Sequence, residues 1–220
     1  ETNRGQEIKF GHKLFTETFQ LLGKKSLENP FVGNSLTCTN CHLNGGTQPY
    51  AMPLIGVNKR FPQYRGREDK TGSLEDRING CFERSMNGAK LRHDSVEMKA
   101  IVSYINWLGR YVNTGEITQG KGLKSIKYPN RQVNLVNGEK VFERVCVECH
   151  GLDGQGEKID EFTYLYPPLW GKNSYNNGAG MTRVLTAAMF IKYNMPQGTT
   201  FESPILSDDE SYDVAGYINQ

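Results

Sequence analysis

The sequence has few of the features that mark membrane or nucleic-acid binding. Its longest apolar run is about eight residues, from Val184 to Ile191 with one interruption, whereas a membrane-spanning helix needs about 20. The net charge is only +2, and binding to nucleic acid or a membrane surface needs a concentrated excess of basic residues. We therefore expect no transmembrane segment and no nucleic-acid partner. No basic-then-apolar leader stands at Glu1, so any signal peptide is expected to have been removed.

Apolar side chains are also scarce for a chain of this size. Hydrophobic residues make up 37% of the 220 residues, and this length favours one large domain or two of about 100 residues each. Two domains that small would be marginally stable unless another group filled their cores. A buried porphyrin bonded to the chain would do so.

The five cysteines divide into two pairs and one single residue. The pairs lie in Cys38-Thr39-Asn40-Cys41-His42 and Cys146-Val147-Glu148-Cys149-His150, and C-x-x-C-H is the attachment signature of c-type haem. Two thiols on one helical turn can reach the two vinyl groups of one porphyrin, and the next residue becomes the proximal iron ligand. The motifs predict two covalently bound haem c groups. The attaching residues are Cys38, Cys41, Cys146 and Cys149, and the proximal ligands are His42 and His150.

Two other interpretations of the cysteine pairs remain open at this stage. All four paired cysteines together could form a zinc site, and each pair could be a thioredoxin-like redox motif. The redox motif would not explain a histidine directly after both pairs. Covalent haem is attached outside the cytoplasmic membrane in bacteria, so the haem interpretation also predicts a periplasmic protein.

The two halves of the chain repeat each other beyond the haem motifs. Gly11-His12-Lys13-Leu14-Phe15 corresponds to Gly138-Glu139-Lys140-Val141-Phe142, and a Pro-Leu-x-Gly turn follows each haem motif, at 53–56 and at 168–171. Each half also closes on a predicted helix that contains Tyr-Ile-Asn, and in the first half its apolar face begins at Val96. This is the plan of small cytochrome c domains, in which an N-terminal and a C-terminal helix cross over the haem.

The repeat defines the predicted fold class and domain organisation. We predict an all-α fold with two tandem class I-like cytochrome c domains, at residues 1–115 and 131–220. The first would carry the catalytic haem and the second an electron-transfer haem. Residues 116–130 have few apolar side chains and no clear period, which predicts a linker.

A methionine in the second half is the candidate for the distal iron ligand there. Met195 lies in Asn194-Met195-Pro196, where proline stiffens the chain beside the flexible thioether. Met181 and Met189 are rivals, but they accompany a stretch with helical periodicity, which favours core packing. We predict that Met195 ligates the second iron.

The unpaired Cys81 stands on a predicted helix with a polar face. Ser73 and Asp76 form a capping box at its start, and Arg77, Cys81 and Ser85 then follow at i, i+4 and i+8. A cation one turn away lowers the pKa of a thiol, so Cys81 is expected to have thiolate character. Two alternatives stay open from the residues alone: Cys81 is a buried inert side chain, or Met86 is the ligand of the first iron.

The stretch Gly80-Cys81-Phe82-Glu83-Arg84-Ser85-Met86-Asn87-Gly88 resembles bacterial dihaem thiosulfate dehydrogenases, which also act as tetrathionate reductases. Tyr166-Pro167-Pro168-Leu169-Trp170-Gly171 and the residues at 174–181 are similar to the same family, and the resemblance covers nearly the whole chain. It implies that His42 and Cys81 ligate the first iron, and that His150 and Met195 ligate the second. Some relatives carry lysine before the methionine, where this chain has Asn194.

The resemblance also implies the substrate site and the reaction. Substrate would be held near the first haem by Arg67 and Arg77, with Ser85 nearby. Our working hypothesis for the mechanism is that Cys81 forms a bond to substrate sulfur. Two thiosulfates would give tetrathionate and two electrons, and the electrons would pass to a partner cytochrome or another periplasmic carrier. The stretch from Lys59 to Arg92 holds nine Lys or Arg against five Asp or Glu, which suits a small dianion.

Two other functions remain as alternatives. A periplasmic dihaem electron-transfer cytochrome without its own substrate needs two haems but has no use for an arginine-flanked cysteine. A dihaem peroxidase needs an exchangeable iron site, usually with further histidines, and only His12 and His93 remain in this chain. We expect His12 in the N-terminal helix and His93 in a solvated turn.

Overall fold

The computed structural model describes residues 2–24, 26, 28–161 and 163–220. Its secondary structure is mainly helical, with hydrophobic cores in both halves of the chain. This architecture confirms the predicted all-α class, although the sequence pattern did not predict the two short hairpins. The helices are α1 (Asn3–Thr16), α2 (Thr18–Leu22), α3 (Leu43–Gly46), α4 (Leu74–Arg84), α5 (Val96–Leu108), α6 (Leu135–Val145), α7 (Val147–His150), α8 (Val184–Asn194) and α9 (Asp208–Ile218). The strands are β1 (Gln63–Arg65), β2 (Lys70–Gly72), β3 (Glu157–Lys158) and β4 (Tyr164–Tyr166).

In the first half, α1 crosses α5 at a point where the two backbones nearly touch. A Cβ atom on Gly11 would lie 1.9 Å from the carbonyl oxygen of Ala100, so the crossing requires glycine. Leu14 and Tyr104 are buried beside it. Val96, which the apolar pattern predicted on the buried face of α5, is instead 68% exposed, because it is the first residue of the helix and lies beyond the crossing.

The second half repeats this crossing with α6 and α9. A Cβ atom on Gly138 would lie 2.3 Å from the carbonyl oxygen of Asp213, so Gly138 occupies the position that Gly11 occupies in the first half. Val141 and Phe142 of α6 pack against Val214 of α9. Helix α8 packs against the other face of α9. The matching glycines in the sequence therefore mark the same helix crossing in each half.

Helix α4 and the hairpin before it lie between the haem motif and α5 of the first half. Strands β1 and β2 are antiparallel, with Arg65 opposite Lys70. Helix α4 then begins with the predicted capping box: Ser73 Oγ accepts from the backbone N–H of Asp76 at 3.2 Å, and the Asp76 carboxylate accepts from the backbone N–H of Ser73 at 3.0 Å. This cap fixes the start of the helix that carries Cys81.

The two halves are joined through the end of α4. Asn34 donates from its side-chain amide to the carbonyls of Ser85 and Ser174, each at 2.8 Å. The amide of Asn176 donates to the carbonyl of Glu83 at 2.9 Å. A loop of the second half is therefore bonded directly to the helix that carries Cys81.

Residues 109–134, all of them described, contain no helix or strand. The linker predicted at 116–130 lies inside this range, and its exact bounds stay a prediction. Within the part of the chain that the structure covers, no helix is both long enough and apolar enough to span a bilayer.

Candidate haem sites and sulfur-binding cavity

Each C-x-x-C-H motif opens onto its own cavity. The first cavity has a volume of about 340 Å³, and its walls include both thiols and the histidine of the first motif. The second has a volume of about 580 Å³ and is lined in the same way by the second motif. In the described part of the chain, no group of three or more Cys, His, Asp or Glu side chains is arranged to hold a metal ion. The zinc site considered from the sequence is therefore not supported.

The two motif histidines are oriented in the same way by backbone carbonyls. Nδ1 of His42 donates to the carbonyl of Met52 at 2.6 Å, and Nδ1 of His150 donates to the carbonyl of Pro167 at 2.9 Å. A carbonyl only accepts, so the proton lies on Nδ1 and the lone pair of Nε2 is free for a metal. Met52 and Pro167 each immediately precede a Pro-Leu-x-Gly turn. The residue before the repeated turn thus supplies the carbonyl that orients the motif histidine in each half.

Cys81 lines the same cavity as His42 and faces it. His42 faces the Cys81 sulfur within hydrogen-bonding range, and Nη1 of Arg77 donates to the same sulfur at 2.8 Å. Met86 is buried and also lines the first cavity. An imidazole and a thiolate that face each other in an apolar cavity would both be suitable ligands for a haem iron, so the residues present fit the cofactor that the motif implies.

Cys81 differs electrostatically from the other thiols of its cavity. Burial raises the pKa of Cys38 and of Cys41 to about 12. Burial also opposes ionisation of Cys81, but the positive charge of Arg77, the hydrogen bond from Arg77 and the contact with His42 outweigh it, and the pKa of Cys81 falls from 9.0 to about 6. Cys81 is therefore the thiolate of this cavity, as expected for a sulfur ligand or nucleophile.

The structure separates the residues predicted to bind substrate. Arg77 and Ser85 line the first cavity beside Cys81. Arg67 does not line it: its side chain is exposed, and Nη1 donates to the carbonyl of Gly178 at 2.7 Å. The substrate role of Arg67 stays a prediction, and the structure shows it bonded to the second half of the chain.

Arg65, which the sequence analysis did not single out, does line the first cavity. Its side chain is 11% exposed and forms an ion pair with Glu68 at 3.0 Å, while Nη1 is buried without a partner. Burial lowers the pKa of Arg65, and the charges of Arg77 and Cys81 also act on it. A buried guanidinium with a free N–H, next to a thiolate, is well suited to hold a small oxyanion.

The second cavity contains two of the three methionines considered as ligands. Met195 and Met181 line it together with His150, and Met189 does not. Met189 lies on α8 and is half-buried, and its packing role stays a prediction. Neither His12 nor His93 lines either cavity: His12 lies on α1 against the ring of Tyr104, and His93 lies in the turn before α5, as expected.

The wall between the two cavities is the first haem motif itself. Leu36 and Cys41 line both cavities, and residues Thr39, Asn40, Leu43, Asn44 and Gln48 line the second. Tyr175 closes this wall from the second half; it is half-buried, and its hydroxyl donates to the side-chain oxygen of Asn219 at 3.3 Å. The two cavities are therefore separated by a single layer of chain.

Two crossed-helix halves, each with a covalent haem c in its cavity, define a dihaem c-type cytochrome. Residues 23–112 match the SoxA/TsdA cytochrome c domain, and residues 135–220 match the cytochrome c domain family. The chain belongs to the thiosulfate dehydrogenase family, which confirms the resemblance of its motifs. It is thus an oxidoreductase of the cytochrome c type.

Several relatives of this chain are named thiosulfate dehydrogenase. Thiosulfate dehydrogenase of Allochromatium vinosum is 43% identical over 86% of this chain and 70% of its own length. The Stutzerimonas stutzeri enzyme is 38% identical over 98% of this chain and 67% of its own length. The Psychrobacter arcticus enzyme is 40% identical over 97% of this chain and 62% of its own length. The solved structure of thiosulfate dehydrogenase (TsdBA) from Marichromatium purpuratum superposes with a TM-score of 0.91 and 35% identity, over 100% of this chain but only 46% of that one.

Proposed function

We propose that the chain interconverts two thiosulfate ions and tetrathionate, with the sulfur chemistry at the first cavity. The observation that carries the proposal is the Cys81 thiolate, held by Arg77 at 2.8 Å and facing the proximal ligand His42. An electron-transfer cytochrome needs no ionised sulfur inside its haem cavity. The curated relatives are named thiosulfate dehydrogenase, which supports this choice of substrate.

Arginine side chains account for substrate binding. Arg77 and Arg65 present guanidinium groups to the cavity that holds Cys81. Thiosulfate is a dianion, and two of them must approach each other, so fixed positive charge lowers the repulsion in the transition state. We assign Arg65 and Arg77 to the sulfonate oxygens, with Ser85 as a further donor and Arg67 at the outer edge of the site.

The proposed reaction balances in two steps at Cys81. In the first, the outer sulfur of one thiosulfate bonds to the Cys81 thiolate, which yields a Cys81 thiosulfonate adduct and two electrons. In the second, the outer sulfur of another thiosulfate attacks the sulfur attached to Cys81. Tetrathionate then leaves, and the Cys81 thiolate is restored. The haems, when bound, supply one-electron acceptors, one for each electron released.

The axial ligands and the location follow from the same assignment. We propose His42 and Cys81 as ligands of the first iron, and His150 and Met195 as ligands of the second. In this scheme residues 1–115 form the catalytic domain, and residues 131–220 form the electron-transfer domain beyond the linker at 116–130. We further propose a periplasmic location, because c-type haem is attached there, with a cytochrome or another periplasmic carrier as the redox partner.

A stoichiometric assay tests the proposal. Purified dihaem protein is mixed with thiosulfate and ferricyanide, and tetrathionate is measured beside ferrocyanide. We expect one tetrathionate and two ferrocyanides for every two thiosulfates consumed, and tetrathionate reduction by the same protein with a reduced dye. Mass mapping of Cys81 after a limited addition of thiosulfate should show a thiosulfonate adduct. A protein that transfers electrons but forms no tetrathionate would contradict the proposal.

A further inference from the structure

A short segment between the cavities, Tyr50–Met52, contacts ligand-bearing residues on both sides. The carbonyl of Met52 accepts the Nδ1 hydrogen of His42 at 2.6 Å. The carbonyl of Tyr50 accepts from the side-chain amide of Asn194 at 3.3 Å, and Asn194 directly precedes Met195 in the second cavity. Two carbonyls that are two residues apart therefore reach the two haem sites.

The conformation of this segment is imposed by its surroundings. Tyr50 and Met52 have φ angles of 59° and 52°, in the left-handed region that residues with a side chain rarely adopt. Ala51 between them is fully buried. A conformation of this kind persists only where neighbouring contacts hold it.

The linker between the two halves provides those contacts. The backbone N–H of Tyr50 donates to the carbonyl of Gly120 at 2.7 Å, and that of Met52 donates to the carbonyl of Gly122 at 2.9 Å. Further along the linker, the ammonium group of Lys124 lies 5.8 Å from the centre of the Tyr50 ring and 4.9 Å from that of Tyr193. Tyr193 is the residue before Asn194, so the linker contacts both sides of the segment.

We propose that Tyr50–Met52, held between the linker and Asn194, is a positioning element that couples the axial ligation of the two haems. A carbonyl that accepts the Nδ1 hydrogen makes the imidazole a stronger donor to iron, and this favours the oxidised state. Moving the Met52 carbonyl away from His42 raises the potential of the first haem and rotates its imidazole. The proposal rests on ligation of the first iron by His42 and is independent of the sulfur substrate.

Two linker glycines provide a matched pair of variants. A Cβ atom at Gly120 would lie 2.6 Å from Cβ of Pro49, next to Tyr50, whereas a Cβ at Gly115 would meet nothing within 4 Å. Both glycines have positive φ angles, 74° and 84°, so alanine causes backbone strain at either position. Only Gly120→Ala pushes on the segment that holds His42.

The measurements are potentiometric titration of each haem and the low-spin EPR signals of the oxidised protein. For Gly120→Ala we expect a higher potential and altered g-values for the first haem, and a smaller change in the signal of the second haem, transmitted through Tyr50 and Asn194. For Gly115→Ala we expect wild-type values for both haems. A first haem that is unaltered in Gly120→Ala, or altered equally in Gly115→Ala, would overturn the proposal.

A substitution in the second cavity tests coupling from the other side. Asn194→Ala removes the donor to the Tyr50 carbonyl, so it should change the EPR signal of the first haem. Thr199→Val is the control, because Thr199 lines the same cavity and its buried hydroxyl has no hydrogen-bond partner among the described residues. If the EPR signal of the first haem is unchanged in Asn194→Ala, the proposed coupling is wrong. This test remains valid even if Gly120→Ala fails to retain its haems. A protein that shows the coupling but forms no tetrathionate would overturn only the proposed function.

Discussion

Arg77→Gln removes the positive charge that contacts the sulfur of Cys81. Nη1 of Arg77 lies 2.8 Å from that sulfur, and its charge helps to lower the Cys81 pKa from 9.0 to about 6. At pH 7 a thiol with a pKa of about 6 is about 90% ionised, and a thiol with a pKa of 9.0 is about 1% ionised. Glutamine keeps a hydrogen-bond donor near this position and removes the charge.

Two opposing effects set the cost of losing ionisation. If the pKa of Cys81 returned to the ordinary thiol value of 9.0, the thiolate fraction would fall about 90-fold, but the remaining thiolate would be the stronger nucleophile. With a Brønsted slope of about 0.4–0.5, a pKa difference of about three raises the reactivity of the thiolate roughly 15- to 30-fold. Ionisation alone therefore costs about 3- to 6-fold.

Loss of the charged hydrogen bond to substrate is the larger effect. Such bonds contribute about 1.5–3 kcal/mol, which corresponds to roughly 10- to 150-fold in rate. Together the two effects predict a fall in kcat/KM on the order of 100-fold for Arg77→Gln at pH 7. Because binding dominates, raising the pH to ionise Cys81 should restore only a small part of the lost activity.

The assay measures initial rates of thiosulfate oxidation from about pH 5 to about pH 9, the range in which these thiols titrate. In the wild type the free thiolate of Cys81 is lost as the pH falls through about 6, so the rate declines on the acid side. In Arg77→Gln this decline should move to higher pH. Arg92→Gln is the control, because Arg92 is exposed and paired with Asp94 outside the cavity. An Arg77→Gln rate within about threefold of wild type at pH 7, with an unmoved acid limb, would refute this reasoning.

Three further experiments test the remaining assignments. Cys81→Met should give a folded, six-coordinate dihaem protein with a raised first-haem potential and almost no turnover; substantial turnover would make Cys81 only a tuning ligand. Met195→Gly should abolish the methionine-to-iron charge-transfer band at the red end of the spectrum, and the same loss in Met181→Gly instead would show that the ligand was misassigned. Arg65→Gln should raise KM for thiosulfate about tenfold or more, and Arg67→Gln should raise it less, because of these two arginines only Arg65 lines the cavity. Equal KM values for the two variants in steady-state assays would show that Arg65 does not bind substrate.

Features that depend on short chain separations could be predicted from the sequence. Two cysteines and a histidine within five residues determine covalent haem attachment whatever surrounds them. Arg77 and Cys81 are one helical turn apart, so their contact follows from the period of the helix once Ser73 caps it. Gly11 and Gly138 mark the helix crossings because both crossings need a residue without a side chain.

Features that depend on packing between distant segments required the tertiary structure. Arg65 and Arg67 flank a single glycine and look alike in the sequence; which one faces the cavity is decided by the hairpin before α4 and by the carbonyl of Gly178, 111 residues away from Arg67. The carbonyls of Tyr50 and Met52 acquire their partners in the same way, through the linker and Asn194. Backbone carbonyls carry no residue-specific signal, so no pattern of side chains could have shown that these two connect the haem sites.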